Sequence, residues 1–487
     1  MQQNSPNKKG FGHRACTVVL CAGKSSRMNT TRSKMLLPLL GKPMCFWMLD
    51  TALAMQTDPV VAVVSNRPDG VADAVTQRYG PRVLLARQAQ PRGTGDALRS
   101  GLAVAGSRYD TVLVLYGDTP LLRTETLTEL LSAPRRPGTS IAMLTTRCAD
   151  PTGYGRIVRN GSGHVTRIVE DKEASREEKT IDEVNVGVYA FAGDFVRQTL
   201  PKLSPRQAGG EYYLTDLVAL AVSNSGAASP IADLPADKKE TAGVNDQIQL
   251  AAAHHVLRER ILHGWMRKGV ACPDPNHVAV DDGCVLAPDV VLEQGVQLRG
   301  RCHIAARCVI GTGCILTDCA LEEGVRVEPY CVCEGVRIEK NARIGPFARI
   351  RPRTVVGKDA KIGNFVEVKN AHLRPGVKAG HLAYIGDAAV GAESNIGAGV
   401  VVCNYDGVTK HATSIGARAF IGSNSTLIAP VSVGDQTYVA AGTTVTHDVP
   451  RDSLAVGRAR LCTKEKAGSA LRQRLQHRAA SKNAEDR

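Results

Sequence analysis

From Val280 onward an aliphatic side chain returns every six residues, and few folds are compatible with that spacing. The first run is Val280, Leu286, Leu292, Leu298, Ile304, Ile310 and Leu316. After a register break it resumes at Ile338, Ile344, Ile350, Val356, Ile362 and Val368. A third run is Val390, Ile396 and Val402, and a fourth is Ile415, Ile421, Leu427, Val433, Val439 and Val445. A period sustained this long specifies a parallel β-helix built from hexapeptides, each short strand pointing its aliphatic inward and stacking on the coil below. Four places after the aliphatic the residue is mostly small or β-branched, as at Cys302, Cys308, Cys314, Ala348, Ala419 and Thr437. Such residues suit a second inward slot where three walls meet. Those cysteines are therefore packing thiols, as free Cys usually is when buried. No C-x-x-C pair occurs among the 14 cysteines.

The register breaks hold the chemistry. His381 lies between Val368 and Val390, with Tyr384 close by, and Asn395 follows. Asn404, Tyr405 and Lys410 lie in an extra loop between Val402 and Ile415. His is the natural base near neutral pH. A lone His in a coil is more often a satisfied structural residue, but polar and aromatic residues in an otherwise monotonous repeat favour a site. Arg351, Lys369 and Lys410 suit a phosphate, or else a solvated outer face.

The first half has a different rhythm. Apolar runs at 17–20, 60–64, 83–86, 112–116 and 141–145 predict buried strands, with helices at 44–55, 71–79 and 94–105 between them. That alternation predicts a mostly parallel sheet covered on both faces. Ligands in such folds bind beyond the carboxyl ends of the strands. The turn Cys21-Ala22-Gly23-Lys24-Ser25-Ser26-Arg27-Met28 occupies one such end, and Gly117-Asp118 occupies another. Small residues with Arg27 suit phosphate oxygens. Asp118 there can either cap a turn or help to hold Mg²⁺, which prefers one or two carboxylates plus substrate phosphates. Residues 247–268 predict a helix about 30 Å long joining the two halves.

Composition narrows the partners. The chain of 487 residues carries 61 basic and 47 acidic side chains, a net charge of +14. The charge is spread out, which favours anionic small substrates over a nucleic acid. No apolar run is long enough to cross a bilayer, and Met1 to Arg14 lacks the apolar core of a signal peptide, so a cytoplasmic location is expected. The expected organisation is a flexible basic tail (1–13), an α/β domain (14–246), a linker helix (247–268), the β-helix (269–463) and a second flexible basic tail (464–487).

One set of motifs occurs in order: Leu20-x-Ala22-Gly23-x-x-x-Arg27-Met28, Lys34, Gln88 with Gly93-Thr94, Tyr116-Gly117-Asp118 and Gly243-Val244-Asn245. Pro151-Thr152-Gly153-Tyr154-Gly155-Arg156 and Gly210-Glu211-Tyr212-Tyr213-Leu214-Thr215-Asp216 accompany it. By these the chain closely resembles the sugar-phosphate nucleotidyltransferases. Among them it resembles the bifunctional N-acetylglucosamine-1-phosphate uridyltransferase/glucosamine-1-phosphate acetyltransferase family of bacteria. The resemblance implies a Rossmann-like nucleotidyltransferase domain, a helical linker and a left-handed β-helix. It also implies a homotrimer with acetyl-CoA sites between neighbouring prisms, and no nucleic-acid or membrane partner.

The resemblance assigns residues as well. Leu20, Cys21, Ala22, Gly23, Gln88, Gly93, Thr94 and Tyr116 would hold the uridine nucleotide, with Arg27 and Lys34 on its phosphates. Gly117, Gly155, Glu170 and Asn185 would hold the N-acetylglucosamine. Asp118 and Asn245 would ligate Mg²⁺. In the second half His381 would be the base and Glu367 would orient it. Arg351, Lys369, Tyr384, Asn395 and Lys410 would bind glucosamine-1-phosphate, with Asn404 beside the thioester. Ala398, Tyr405, Ser423, Ala441 and Arg458 would contact acetyl-CoA. One departure stands out: the family turn is usually Gly-x-Gly-Thr-Arg, and here Ser25 replaces the second Gly, a residue that relieves positive φ or close approach. Two other readings are a nucleotidyltransferase whose β-helix only assembles or regulates it, and a non-enzymatic scaffold. The intact Glu367, Lys369, His381 and Asn404 oppose the first. Arg27 and Asp118 oppose the second.

Overall fold

The structure is a computed structural model and describes residues 14–23, 26–206, 210–225 and 229–485. The first basic stretch lies outside them. The chain divides into two compact units. The first reaches Arg267 and takes in Ala279–Cys284 and Leu298–Gly300, and the second begins at Lys268.

The first unit is built on a twisted sheet. Its strands run in the order Ile231–Pro235, Ile141–Arg147, Glu183–Ala192, Thr111–Tyr116, Ala15–Leu20, Val60–Ser65 and Leu84–Gln88. All neighbours are parallel except at Glu183–Ala192, which is antiparallel to both flanking strands. The central strands are apolar at nearly every position because both faces are covered. Alternate side chains enter different cores. Val18, Val63 and Val114 pack on one face with Leu98 and Val218, and Val19, Val64 and Leu115 pack on the other with Leu49 and Leu127. Helix Thr94–Ala105 lies close to the sheet: a Cβ at Gly101 would stand 2.6 Å from Val18 Cγ1. The expected strands and helices of this half all form, so the Leu20 and Tyr116 strand ends lie side by side.

The helix expected over 247–268 spans Gln247–Met266. Asp246 starts it by accepting a hydrogen bond from Gln249 N at 2.7 Å, and Gln249 Oε1 accepts from Asn245 N at 2.7 Å. This reciprocal cap resembles a capping box shifted by one residue. Ala253 and Leu257 pack with Met28, Leu39, Met44, Leu121 and Val244. The helix is thus part of the first unit's core rather than a bare connector.

The second unit is a three-walled prism of short parallel strands. Each strand pairs with the strand three places on, as Ile350 with Val368, Leu373 with Val390, and Ile362 with Ala379. A full coil therefore takes 17 or 18 residues, as the partners Val309 to Arg326 and Val291 to Val309 show. The two gaps in the sequence period prove to be shortened corners. Leu316, Leu321, Val327, Cys333 and Ile338 take successive inward places around the walls through one gap, and Val368, Leu373, Ala379, Ile385 and Val390 do so through the other, all buried. A five-residue step replaces a six-residue step and hides the register from inspection. The extra loop after Val402 is a true insertion, because Ala389 pairs with Ser414. Cys302, Cys308 and Cys314 are fully buried in the interior, as the small slot requires.

Many corners turn on a non-glycine residue with left-handed φ, among them Asn341 (59°), Phe347 (54°), Asn370 (46°), Asp387 (49°) and Gln436 (57°). On one corner Tyr330, Phe347 and Phe365 stack with ring centroids 5.2 and 5.3 Å apart. The stretch expected as a flexible basic tail is helical over Ala467–Glu485, and its side chains are exposed through residue 480. Among the described residues no helix is long and apolar enough to cross a membrane.

Candidate active sites

In the first unit the carboxyl ends of the Ala15–Leu20, Leu84–Gln88 and Thr111–Tyr116 strands border a cleft of about 320 Å³. Leu20, Ala22, Gly23, Gln88, Gly93 and Thr94 line it, together with Tyr116 and Asp118. Cys21 does not meet it with its side chain. The thiol is 1% exposed and packs in the core under Gly117, whose absent Cβ would stand 2.8 Å from Cys21 Sγ. Only the backbone of Cys21 can meet a ligand. Lys24 and Ser25 lie outside the described residues.

The geometry around Gln88 is fixed by a residue the motifs did not single out. Gln88 Nε2 donates to Asp96 Oδ2 at 3.0 Å and to Gly93 O at 3.1 Å. A carboxylate only accepts, so the amide orientation is set and Oε1 is the remaining acceptor. Asp96 lies in the first turn of helix Thr94–Ala105, a place acidic residues favour. Gly93 has φ of +93°, and a Cβ there would stand 2.6 Å from Tyr212 O. Tyr212 N in turn donates to Arg92 O at 2.8 Å. The Gly210–Asp216 segment thereby braces the Gly93 turn.

Four expected residues converge beside this cleft. Lys34 Nζ donates to Asp118 Oδ2 at 2.5 Å and to Asn245 Oδ1 at 3.0 Å. Arg27 Nη2 donates to the same Asn245 oxygen at 3.0 Å. Asn245 is delivered by the helix cap described above, and Asp118 by the Thr111–Tyr116 strand. A second group forms around Gly155. A Cβ there would be 3.6 Å from Glu170 Oε2 and 3.7 Å from Asn185 Cβ. Burial pushes the Glu170 carboxyl up, against a 3.1 Å hydrogen bond from Thr215 Oγ1. Asn185 sits at a register shift in its strand, a common place for a side chain to be re-aimed.

In the prism, strand pairing places Glu367 beside Tyr384, and Lys369 beside Gly386. Within the chain Glu367, expected to orient His381, is hydrogen-bonded to Arg351, whose Nη1 donates to Glu367 Oε1 at 2.9 Å. His381 Nδ1 lies 2.6 Å from Asn364 Oδ1, because Asn364 occupies the equivalent place one coil earlier. The 17-residue offset from Asn364 to His381 was the available signal. An amide oxygen only accepts, so Nδ1 is the donor in this contact, and in the neutral ring Nε2 keeps its lone pair.

Lys410 holds the Lys369 ammonium below its ordinary range. Asn404 is 7% exposed, and its Nδ2 donates to Asp387. Asp387 was not foreseen. The acetyl-CoA candidates stand at one corner of successive coils: Asn424 N donates to Ala398 O, Gly442 N donates to Ser423 O, and Arg458 Nη1 donates to Ala441 O at 2.7 Å. Tyr405 is exposed at the insertion. Asn395 is not brought to Lys369 and Tyr384. It pairs with Lys378 on a different wall.

Comparison with known proteins completes the description. Residues 17–181 match the model of the MobA-like NTP transferase domain, and residues 332–447 match that of the GMPPB C-terminal domain. The bifunctional protein GlmU of Sorangium cellulosum (strain So ce56) is 46% identical over 462 residues, covering 94% of this chain and 97% of that protein. The bifunctional protein GlmU of Brevibacillus brevis (strain 47) is 41% identical over 448 residues, covering 92% and 95%. A solved CMP-2-keto-3-deoxy-manno-octonic acid synthetase in complex with CTP aligns at 22% identity and a TM-score of 0.39, covering 51% of this chain and 99% of that one.

Proposed function

The chain belongs to the family of bifunctional GlmU proteins, and from that membership we propose how its residues divide two reactions. It is a glucosamine-1-phosphate acetyltransferase and an N-acetylglucosamine-1-phosphate uridylyltransferase, and its product is UDP-N-acetylglucosamine. The prism acetylates first, and the α/β unit couples the product to UTP.

In acetyl transfer the amine nitrogen of glucosamine-1-phosphate bonds to the thioester carbonyl carbon and the C–S bond breaks. The amine proton goes to His381 Nε2, and the departing CoA thiolate takes up a proton. Asn364 holds the imidazole in the required tautomer. Arg351, Lys369 and Lys410 meet the sugar phosphate, with Tyr384 and Asn404 beside the sugar. Ala398, Tyr405, Ser423, Ala441 and Arg458 line the acetyl-CoA path. Asn395 stands on another wall of the same prism, which supports a homotrimer in which a neighbouring copy supplies the missing wall.

In uridylyl transfer an oxygen of the sugar phosphate bonds to the α-phosphorus of UTP, and the bond to the β-phosphate breaks in line, releasing pyrophosphate. Such chemistry asks for positioning and charge neutralisation. Gln88 Oε1 accepts from the uracil N3–H, and Arg27 and Lys34 hold the phosphates. Gly155, Glu170 and Asn185 hold the sugar. A divalent metal belongs to this domain family, and Mg²⁺ is the ion its residues fit. Asp118 and Asn245 offer two hard oxygens that already converge on one cation, the Lys34 ammonium. Bound there, Mg²⁺ supplies charge neutralisation on the phosphates. A cytoplasmic location agrees with these soluble substrates.

The observation that carries the two-site reading is His381, whose Nδ1 is held 2.6 Å from Asn364 Oδ1, in a prism that also sets Glu367 beside Tyr384 and carries Lys369 on the same wall. To test it, purified protein is incubated with glucosamine-1-phosphate and acetyl-CoA without UTP, and the sugar phosphate is followed by mass spectrometry. A gain of one acetyl group that His381→Ala abolishes is the expected result. No acetylation by an intact trimer would leave the prism as an assembly module. UTP with Mg²⁺ then converts the product to UDP-N-acetylglucosamine.

A further inference from the structure

Asn370, Asp387 and Asn404 follow one another at intervals of 17 residues, one per coil. Asp387 stands in the middle. Its Oδ1 accepts from Asn370 Nδ2 and its Oδ2 from Asn404 Nδ2. Its backbone is fixed too, since its N–H donates to Lys369 O at 3.0 Å and its carbonyl accepts from Thr413 N at 3.1 Å. Asp387 also lines one cleft with Asn370 and Lys410. Burial works to raise its carboxyl, yet the two amides and the Lys369 and Lys410 ammoniums hold it below the usual carboxylate range.

Two consequences follow from elementary chemistry. An ionised carboxylate has no hydrogen to give, so both neighbouring amides must present Nδ2 to it. Asn404 Oδ1 is thereby turned away from Asp387. The carboxylate is also a negative charge that acts on Lys369 and Lys410.

We propose that Asp387 is the positioning residue of the acetyl-transfer site, fixing the orientation of the Asn404 amide. It touches neither substrate; it acts through Asn404. The proposal rests on the reading of the prism as an acetyltransferase.

The test compares native protein, Asp387→Asn, Asn370→Ala and His381→Ala in steady-state acetyl transfer. Uridylyl transfer on N-acetylglucosamine-1-phosphate and the melting temperature report folding in the same samples. An Asn at 387 can donate as well as accept, so the Asn404 amide loses its fixed orientation, and kcat falls tenfold or more. The same change removes a negative charge that acts on the phosphate-binding lysines, so KM for glucosamine-1-phosphate falls severalfold. A falling KM with a falling kcat is a signature that general loosening of the prism does not produce. Asn370→Ala lowers kcat severalfold and decides the matter if Asp387→Asn does not fold. Acetyl transfer within twofold of native in the folded variants, with His381→Ala inactive, overturns the role of Asp387 alone. A lower kcat accompanied by a higher KM and a lower melting temperature also overturns it, by making Asp387 a purely structural residue. Acetylation surviving in His381→Ala overturns the underlying reading of the site.

Discussion

Asn364 and Glu367 compete for one role, and a pair of substitutions separates them. Asn364→Ala removes the 2.6 Å contact to His381 Nδ1 without touching the phosphate-binding cations. A neutral hydrogen bond of this kind has a net worth of about 0.5–1.5 kcal/mol. If that energy selects the reactive tautomer and ring orientation, its loss lowers kcat for acetyl transfer roughly 2- to 12-fold at 25 °C. That is well short of the roughly 10²- to 10⁴-fold expected for loss of the base itself. KM for both substrates should stay within a factor of about two. Glu367→Gln has a different reach. It weakens the 2.9 Å tether on Arg351 and therefore acts on KM for the sugar phosphate. The assay is steady-state acetyl transfer at saturating and subsaturating glucosamine-1-phosphate, with CoA release quantified by chromatography because the protein's own thiols react with thiol reagents. Uridylyl transfer by the same samples controls for folding. A native kcat in Asn364→Ala, with a lowered kcat and unchanged KM in Glu367→Gln, would refute the assignment and restore Glu367 as the orienting group.

Other expectations concern the remaining parts of the molecule. Gly93→Ala places a Cβ 2.6 Å from Tyr212 O at a φ of +93°; KM for UTP should rise about tenfold or more while acetyl transfer is untouched, and unchanged uridylyl kinetics would contradict the braced turn. Arg159→Ala strips Glu183 and Asp233 of a partner that each contacts at 2.6 Å, and should destabilise the α/β unit by about 1–3 kcal/mol in thermal unfolding at pH 7. The Arg159 hydrogen bond holds the Glu183 carboxyl below its ordinary value. The stability it contributes is therefore full above the unfolded carboxylate range of about 4.3 and is lost as pH falls through the depressed folded value. Native and variant melting temperatures should converge toward low pH, and a gap that widens on acidification would contradict the pairing. Gln436→Val puts a β-branched residue at a φ of 57° and should cost the prism about 1–2 kcal/mol, whereas Gln436→Gly should be tolerated; equal melting temperatures for the two would contradict the strain.

Much of this was legible in the chain because the signals were periodic or local. The hexapeptide aliphatics gave the prism, and the strand ends at Leu20 and Tyr116 placed the nucleotide motifs at one edge of a sheet. What escaped were effects of register and of hydrogen-bond polarity. The five-residue steps at Leu321 and Leu373 looked like lost repeats, although the buried inward places continue through both. Asn364 and Asp387 are ordinary polar residues in sequence. Their meaning appears only when a coil length places them over His381 and Asn404. Asp96 was hidden for a similar reason, since only the fold aims its carboxylate at Gln88 rather than at solvent. The same limit explains Cys21, whose motif position is right while its side chain belongs to the core.

The corner residues carry a further consequence. Among the described residues, no non-glycine position with left-handed φ is Val, Ile or Thr, although Val and Ile fill the adjoining walls. The two alphabets exclude each other for separate reasons: a β-branched side chain suits a pleated wall and resists left-handed backbone. Slipping the chain by one residue would therefore violate two codes at once. It would turn aliphatics outward, and it would bring stiff branched residues toward corners that reject them. A winding made of nearly identical coils is exposed to misthreading, and this division of residues works as a check on it. A wrong thread is penalised again at each corner it passes, and only the native alignment satisfies the whole column.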